Sequence, residues 1–414
     1  MTEQALNYPP SKAESNLDYD LVIVGGGIVG ATLASALKAS GLKIGIIEAQ
    51  PPEKASARRR AYALSLMSGR ILEGIGVWDK ILPHIGKFSK IRLSDGTHPQ
   101  VVKFYTTDLA TEYLGYVGDH QVILTALQEF IAECPNINWL CPAQLMSVDY
   151  QQSEATLTLK IAEKEHQIRT KLVIGADGAR SQIRTSAGIT TRGWKYWQSC
   201  VTFTIKHQAP QNDVAFERFW PTGPMGILPL PDNRCQIVWT APHAQAKALQ
   251  DLDEQEFLAK LDYHTGGQLG QLELVSDRYL FPVQLMQSDR YIKPRLALVG
   301  DAAHCCHPVG GQGLNLGIRD AAALAQILRE AHQKGEDIGT LKVLQPYQNW
   351  RKRENLAILG VTDLLDRVFS NAWLPVVAVR RLGIWMICHL PFLKIFALQV
   401  MTGLKGKTPQ LAEN

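Results

Sequence analysis

Apolar segments near the start of the chain predict a strand, a helix and a second strand. Tyr19–Val24 is rich in β-branched residues, which is typical of a strand buried in a parallel sheet. Residues 31–40 are small and helical in pattern, Gly41 ends that pattern, and residues 43–47 form a second apolar run. This alternation predicts an α/β fold.

The turn between the first strand and the helix carries a glycine pattern that suits a nucleotide. Gly25, Gly27 and Gly30 have the spacing G-x-G-x-x-G, and Glu48 follows the second strand. Gly25 allows a tight turn, Gly27 lets a pyrophosphate approach the backbone, and Gly30 allows close helix–strand packing. Glu48 is placed to bind ribose hydroxyls. Together they predict a Rossmann-type dinucleotide-binding domain, but they do not distinguish FAD from NAD.

A similar strand, loop and helix start recurs near residue 300. The apolar run Leu296–Val299 ends at Gly300 and Asp301, and a small-residue loop leads to Gly310–Gly313 and a helix from about residue 314. A carboxylate beyond a strand end can accept hydrogen bonds from sugar hydroxyls, and glycines let the backbone approach a flat ring. A helix N-terminus favours a partly negative group. The segment therefore predicts a group bound beyond the strand end.

The pattern changes after residue 188. Alternating positions at 199–206, 225–230 and 235–240 predict antiparallel strands, and the last seventy residues are helical in pattern. We predict a polar tail at 1–17, a nucleotide domain at 18–92, 112–185 and 291–345, an inserted substrate domain at 93–111 and 186–290, and a C-terminal helical region at 346–414. The predicted sheet offers candidates for an apolar substrate pocket: Phe219, Met225, Ile227, Leu228 and Trp239.

The apolar segment 373–398 is interrupted by Pro375, Gly383 and Pro391, so we do not expect it to span a bilayer. Helices packed on the nucleotide domain and an amphipathic surface in contact with lipid both fit this pattern. We favour packing with partial, peripheral membrane contact.

Composition excludes several classes of protein. The 414 residues suggest two domains, and 46% apolar and 20% charged residues are ordinary for a globular chain. A net charge of +4 without a basic stripe argues against a nucleic-acid partner. The seven cysteines are scattered without a C-x-x-C pair, so we expect neither a disulfide framework nor a metal site. The first seventeen residues lack signal-peptide features, and we expect a cytoplasmic location.

Three motifs, in order, resemble those of one enzyme family. The fingerprint at 25–30 is followed by Gly175-Ala-Asp-Gly178 and then, from Gly300, by G-D-A-A-H-x-x-x-P-x-x-G-Q-G-x-N. This order is similar to that of the single-component aromatic flavin hydroxylases, the group that contains p-hydroxybenzoate hydroxylase. Details such as GQGLNLGIRD at 311–320 resemble the ubiquinone-biosynthesis branch. The resemblance extends from about Asp20 to Gln345 and implies that the bound nucleotide is FAD.

The resemblance also implies roles for residues at the nucleotide end of the cofactor. Glu48 would bind the adenosine ribose, Arg60 the pyrophosphate and ribityl region, and Asp301 the ribityl chain. Gln121 lies where the family has an arginine or glutamine near the cofactor. Asp177 belongs to a motif proposed to contribute to binding of both FAD and NAD(P)H.

At the flavin ring, the resemblance places the backbone of Gly311, Gln312, Gly313, Leu314 and Asn315 opposite the pyrimidine end of the isoalloxazine. A helix N-terminus there would stabilise the negative charge of reduced flavin. Pro308 matches the family proline whose backbone lies beside the reactive face. His307 is a candidate base for a phenol, although no spacing or partner establishes that role.

The activity implied is an FAD-dependent monooxygenase that uses NAD(P)H and O₂ to hydroxylate the ring of a prenylated phenol in ubiquinone- or plastoquinone-type biosynthesis. The oxidant would be a flavin C4a-hydroperoxide. Expected partners are the prenylated phenol or quinone precursor, O₂ and a quinone-synthesis complex. An isoprenoid epoxidase or reductase on the same scaffold is an alternative, and so is a non-catalytic flavin-binding component of such a complex.

One position departs from the family pattern. Relatives often have an acid two residues before the arginine of the first motif, where this chain has Arg58. We hypothesise that Arg58 and Arg59 help to attract NADPH, whose additional phosphate is anionic. A solvated loop is the alternative.

Overall fold

The computed structural model describes residues 17–57 and 60–413, in which strands and helices alternate. The strands are β1 Tyr19–Val24, β2 Ile44–Ile47, β3 Ala61–Leu64, β4 Gly86–Phe88, β5 Lys90–Asp95, β6 Val101–Tyr105, β7 Gly115–Asp119, β8 Ile137–Leu140, β9 Gln144–Tyr150, β10 Ala155–Ile161, β11 Lys164–Gly175, β12 Thr191–His207, β13 Val214–Trp220, β14 Gly223–Leu230, β15 Arg234–Pro242, β16 Leu272–Leu274, β17 Tyr279–Ser288, β18 Ile292–Lys293, β19 Leu296–Leu298 and β20 His304–Cys305. The helices are α1 Ile28–Ala36, α2 Pro52–Ser56, α3 Leu66–Ile75, α4 Trp78–Ile81, α5 His120–Ala132, α6 Gln182–Ser186, α7 His243–Asp251, α8 Glu254–Thr265, α9 Gln312–Gln333, α10 Leu341–Phe369, α11 Leu374–His389 and α12 Pro391–Met401.

The first sheet carries the predicted nucleotide-binding strands. Its order is β18-β19-β11-β1-β2-β8, and β10 and β9 continue from β11. Strand β1 pairs in parallel with β2 and with β11, and β11 pairs in parallel with β19. Leu21, Val22 and Ile23 are fully buried, as expected for a strand of a parallel sheet that is covered on both faces. The carboxyl ends of four strands therefore meet at one edge.

Helix α1 begins within the glycine pattern, earlier than the predicted residue 31, because Gly27 is its N-cap. It packs against α9 and α5. Gly30 faces the turn that precedes the helix: a Cβ there would lie 2.0 Å from the carbonyl oxygen of Gly25. A larger residue would push α1 away from β1.

The second sheet has the order β20-β17-β12-β15-β14-β13-β5-β6, with β16 on β12. Its pairings are antiparallel except for β13 with β5. Strand β20 and the first residues of β5, which we had assigned to the nucleotide domain, pair in this sheet. The predicted α/β fold with an inserted antiparallel sheet and C-terminal helices is confirmed; we propose that the domain boundary follows the two sheets.

The C-terminal helices contact the second sheet and the turn after β6 through one buried and one half-buried ion pair. Arg380 of α11 forms an ion pair with Asp95 of β5 at 2.8 Å, and Lys394 of α12 pairs with Asp108 at 2.8 Å. In the part of the chain that the structure describes, no single helix has the length and apolar character needed to cross a membrane. Helices α11 and α12 meet those criteria only as a pair, with a bend of 100° between them.

Candidate functional site

Three turns meet at the carboxyl edge of the first sheet. The N–H of Ala176 donates to the carbonyl of Val24 at 2.8 Å, and the N–H of Val299 donates to the carbonyl of Gly175 at 3.0 Å. The turns that follow β1, β11 and β19 therefore lie side by side. This arrangement brings Gly27, Asp177 and Asp301 to one edge, although they are far apart in the sequence.

The first of these turns leaves open space in front of α1. Gly25 has a φ of +110° and a Cβ there would lie 2.4 Å from the carbonyl oxygen of Ala176, so only glycine fits. Gly27 is different, because a Cβ built on it would have no atom within 4 Å. Among the residues that the structure describes, no side chain caps the N-terminus of α1. The first N–H groups of the helix thus face a cradle that a pyrophosphate can fill.

Glu48 lies at the same edge, directly after β2. Its Oε2 accepts a hydrogen bond from the N–H of Gly26 at 2.9 Å, and its Oε1 accepts one from Gln50 at 2.9 Å. These bonds hold the carboxylate still beside the glycine turn. Each oxygen keeps a lone pair that can accept a hydrogen bond from a ribose hydroxyl.

Only one carboxylate oxygen of Asp177 accepts a hydrogen bond from the described residues. Oδ2 accepts a hydrogen bond from the N–H of Ile183 at 3.0 Å, whereas Oδ1 is buried and makes no hydrogen bond within residues 17–57 and 60–413. Arg184 lies close by and donates to the carbonyls of Ala179 and Ala302, each at 2.9 Å. It joins the turn after β11 to the turn after β19, a role that the motif alone did not reveal.

Asp301 is exposed as a residue at the edge of the sheet. Its carboxyl group, however, is desolvated by the surrounding turns. Burial of the carboxyl raises its pKa, and the nearby His304 and Arg60 partly oppose that effect. The Arg60 guanidinium lies 4.8 Å from the centre of the Phe281 ring. The carbonyl of Arg60 accepts a hydrogen bond from the N–H of His120 at 2.7 Å. Arg60 therefore lies beside the start of α5, where Gln121 is exposed.

The start of α9 is fixed by Asn315. Its Nδ2 donates to the carbonyls of Ala63 and Gly311 at 2.9 and 2.8 Å, and its Oδ1 accepts from Ser65 N and Ser68 Oγ at 2.8 and 2.7 Å. The side chain is thus fully used within the protein. Gly311, the N-cap, has a φ of +61° and offers no side-chain cap, so the N–H groups of Gln312, Gly313 and Leu314 are available to a ligand.

A buried charge network supports the Asp301 turn from below. Asp320 accepts hydrogen bonds from Gly300 N at 3.1 Å, His304 Nε2 at 2.6 Å and Arg351 Nε at 2.7 Å. Burial alone would raise the pKa of Asp320, but His304 and Arg351 hold it well below its usual range. Asp320 and Arg351 are 0% and 1% exposed. In the sequence, the charged pair Arg319-Asp320 stands out between Ile318 and the apolar run 321–325, but no pattern links Arg351 to it.

An apolar cavity of about 400 Å³ adjoins this edge. Its walls come from the second sheet, from α10 and α11, and from the segment Pro308–Gln312. Phe219 and Leu228 line the cavity as the sequence suggested. Met225, Ile227 and Trp239 do not, and their assignment was wrong: they pack with Phe257 of α8 in a core on the opposite face. Successive strand residues alternate between faces, so Gly226 and Val238 reach the cavity instead.

His307 is not a candidate base, which corrects the prediction from the sequence. Its side chain is fully buried, and it does not line the cavity. Nδ1 accepts a hydrogen bond from the N–H of Val309 at 3.2 Å, and Nε2 lies 3.3 Å from the side-chain oxygen of Gln198. Desolvation lowers the pKa of His307, against the opposing charges of Asp366 and Asp363. A neutral histidine with both nitrogens engaged is a structural residue.

The residues at this edge fit an FAD molecule. The open cradle before α1, the unpaired Oδ1 of Asp177 and the uncapped start of α9 provide places for a pyrophosphate, a polar donor and a partly negative ring. Arg58, Arg59 and residues 1–16 lie outside the described residues, so the NADPH hypothesis and the predicted tail have no structural counterpart here.

Comparison with known proteins agrees with this geometry. A sequence profile described as an FAD binding domain matches residues 18–353. A ubiquinone hydroxylase of Rhodospirillum rubrum is 37% identical, with 93% of this chain and 90% of that protein aligned. The 3-demethoxyubiquinol 3-hydroxylase of Escherichia coli is 34% identical over 94% of this chain and 100% of its own length.

Among solved structures, p-nitrophenol 4-monooxygenase from Pseudomonas putida superimposes with a TM-score of 0.78 at 21% identity. The match covers 94% of this chain and 98% of that one, and it shows a shared fold. FAD is the cofactor of this family, as the motifs predicted, and NAD(P)H is its usual reductant. The chain belongs to the FAD-dependent aromatic hydroxylases, in the branch of ubiquinone-biosynthesis hydroxylases.

Proposed function

We propose that this protein is an FAD-dependent monooxygenase that hydroxylates the aromatic ring of a prenylated phenol in quinone biosynthesis. The observation that carries the proposal is the position of Pro308–Gln312. This segment forms one wall of the apolar cavity and also leads into α9 at the nucleotide edge. A ring in the cavity and a flavin at the edge would therefore touch the same stretch of backbone. The names of the relatives from R. rubrum and E. coli support a phenolic quinone precursor.

In this proposal the protein groups bind, orient and shield. Glu48 accepts from the ribose, the α1 cradle behind Gly27 holds the pyrophosphate, and Asp301 accepts from the ribityl chain. The N–H groups at the start of α9 stabilise negative charge on the ring. FAD supplies the redox chemistry, because it takes electrons from NAD(P)H and activates O₂.

The cavity provides two further contributions. Its apolar wall, with Phe219, Leu228 and Ile384 among its members, suits an aromatic ring that carries an isoprenoid chain. The same wall excludes water from the reacting atoms, which protects a reactive oxygen species from unproductive decay. In this proposal Pro308, which lines the cavity, would lie beside the reactive face and help to separate cofactor from substrate.

Purified protein loaded with FAD should oxidise NADPH faster when a prenylated phenol is added. The product should gain one oxygen atom on the ring, and that atom should carry the label when the reaction is run under ¹⁸O₂. The measurement is mass spectrometry of the product with fragmentation of the isoprenoid chain.

Other outcomes of the same experiment identify the alternatives. Label on the isoprenoid chain would indicate an epoxidase, and a product that gains hydrogen without label would indicate a reductase. A flavin-containing protein that no prenylated phenol stimulates would be a non-catalytic component of a quinone-synthesis complex. Each of these results would contradict ring hydroxylation.

We also propose that α11 and α12 rest on a membrane surface, while the remainder of the protein stays on its cytoplasmic side. The outer surfaces of these helices expose large apolar side chains, with Leu374, Phe392 and Phe396 at 79%, 66% and 51% exposure. Val379 is 65% exposed and also lines the cavity, which places an opening of the cavity at this surface. A water-insoluble phenol could then enter without crossing water.

Replacing Leu374 and Phe392 by serine should weaken binding to vesicles that contain anionic lipid. Full burial of one such side chain is worth about 1.5–3 kcal/mol, so even partial burial of the two should give a loss of affinity of about ten-fold or more on replacement. Co-sedimentation with liposomes measures the effect. The matched control replaces Leu356 and Tyr263, which are 57% and 69% exposed elsewhere, and should bind as the unchanged protein does. Equal losses in both variants would contradict the proposal.

A further inference from the structure

One carboxyl group lies in the wall of the apolar cavity. Glu217 belongs to β13, on the face that it shares with the buried residues Ala215 and Phe219, and all three line the cavity. Oε2 of Glu217 accepts a hydrogen bond from the N–H of Gly310 at 3.2 Å. The carboxyl therefore lies beside the same Pro308–Gln312 segment that joins the cavity to the nucleotide edge.

The neighbouring strand leaves this carboxyl open. Gly226 of β14 is the register partner of Glu217. A Cβ on Gly226 would lie 3.7 Å from Glu217 Oε2, in ordinary contact, so any larger side chain would cover the carboxyl. With glycine at this position, the oxygen faces the space where a substrate ring would lie.

The other charged groups around Glu217 are already engaged. Arg218 of the same strand donates to the carbonyl of Thr265, and Arg92 of β5 stacks on the Phe216 ring. Arg380 of α11 pairs with Asp95. His307 and Asp366 of α10 lie 3.5 Å apart. Within residues 17–57 and 60–413, Glu217 forms no ion pair.

Its surroundings alter the acidity of this group. Desolvation raises the pKa of Glu217 to about 7, and the hydrogen bond from Gly310 lowers it in part. A carboxyl with such a pKa is partly ionised at neutral pH, where it can both accept and return a proton. The charge is costly in an apolar wall.

We propose that Glu217 is the general base that removes the hydroxyl proton of the phenolic substrate during ring hydroxylation. The assignment rests on the proposed function. The O–H bond of the phenol breaks and an O–H bond forms on Glu217, while the electron pair stays on the phenolate oxygen and enriches the ring carbons ortho and para to it. This makes the ring a better nucleophile toward the oxygen that reduced flavin and O₂ provide.

The proton then returns along the same path. After oxygen transfer the ring carries a carbonyl at the former hydroxyl and a hydrogen on the oxygenated carbon. Loss of that hydrogen as a proton restores aromaticity, and Glu217 gives its proton to the carbonyl oxygen. The overall reaction consumes one phenol, one O₂, one NADPH and one proton, and it yields the hydroxylated phenol, NADP⁺ and water.

The substitution Glu217→Gln separates this role from a structural one. Glutamine keeps the size of the side chain and an oxygen that can accept from Gly310, so the loop retains its hydrogen bond, but the amide cannot take up a proton. We expect the hydroxylation kcat at pH 7.5 to fall by about 100-fold or more. Flavin content and flavin reduction by NADPH should be retained, and hydrogen peroxide should replace product.

The pH profile gives the second readout. A base must be ionised to act, so kcat/KM for hydroxylation by the unchanged protein should rise with pH through a limb near 7. That limb should disappear in E217Q and should persist in E217D, which restores a carboxyl. The matched control is E273Q, which removes an exposed carboxyl from β16 at the outer edge of the same sheet and should leave rate and profile unchanged.

The outcomes are distinguishable. In one outcome, the unchanged protein hydroxylates a prenylated phenol while E217Q retains the same hydroxylation rate and the same rise of kcat/KM near pH 7. In that case the assignment of Glu217 is overturned and the proposed function stands. If the unchanged protein forms no hydroxylated product, the proposed function fails and the assignment fails with it. Should E217Q lose its flavin, E217D is decisive. A base predicts a lower rate and a limb displaced from that of the unchanged protein, because the shorter side chain holds the carboxyl in different surroundings. A limb at the same pH as in the unchanged protein would overturn the assignment.

Discussion

Replacement of Gly27 by valine should give a folded protein that binds FAD much more weakly. Gly27 has a φ of −70° and a ψ of 179°, which any residue adopts, and a Cβ there would have no atom of residues 17–57 and 60–413 within 4 Å. The side chain would instead fill the cradle before α1 and exclude a pyrophosphate. Steric overlap of this kind costs about 1–3 kcal/mol, so FAD affinity should fall by roughly ten- to hundred-fold.

The measurement is flavin fluorescence during titration of the apoprotein, together with thermal unfolding of the flavin-free form. Gly360→Val is the matched control, since Gly360 also has open space around its Cβ but lies in α10 away from the nucleotide edge. That control should bind FAD normally. A G27V protein that binds FAD as tightly as the control would show that the cofactor lies elsewhere.

Replacement of Arg351 by methionine should destabilise the protein more than any other single change considered above. Methionine has a similar length but removes the charge that faces Asp320, and Asp320 is completely buried. Loss of one partner of a buried ion pair typically costs about 3–5 kcal/mol. His304 and the N–H of Gly300 compensate the remaining charge of Asp320 only in part. FAD retention should also fall, since Asp320 holds the N–H of Gly300 in the Asp301 turn.

Urea unfolding followed by tryptophan fluorescence measures this effect. The control is Arg367→Met on the same helix, because the Arg367–Asp363 pair spans one helical turn and the arginine side chain is 57% exposed. Such a pair contributes about 0.3–0.5 kcal/mol. Similar shifts of the urea midpoint in the two variants would mean that the Asp320 network is not the support of the turn.

The nucleotide edge was the part of the site that local sequence could predict. Gly25, Gly30 and Glu48 act within one strand–turn–helix–strand unit, where spacing along the chain sets distance in space. Helices α1 and α9 begin only a few residues from their predicted starts. The offset arises because both N-caps are glycines, which mark a helix start less clearly than Ser, Thr, Asp or Asn do. Asp177 and Asp301 lie next to this unit because each follows a strand that is parallel to β1.

The cavity was much harder to predict, because its wall depends on which face of each strand points inward. Apolar residues occupy both faces of β14 and β15, so the alternation predicted the strands but not which face lines the cavity. Met225, Ile227 and Trp239 were therefore placed on the wrong side. Helices α7 and α8 cover that side. Glu217 was not selected from the sequence at all, since one acid in a strand is ordinary until its neighbours are known.

The sequence by itself determined that a nucleotide binds where strands end in glycines and carboxylates, because those contacts are made by residues close together in the chain or fixed by parallel pairing. Only the tertiary structure showed that the His307 side chain is buried, that Arg351 forms an ion pair with Asp320, and that Glu217 lines the apolar cavity. Each of these depends on strand register and helix packing between residues 31 to 109 positions apart, which no local pattern encodes.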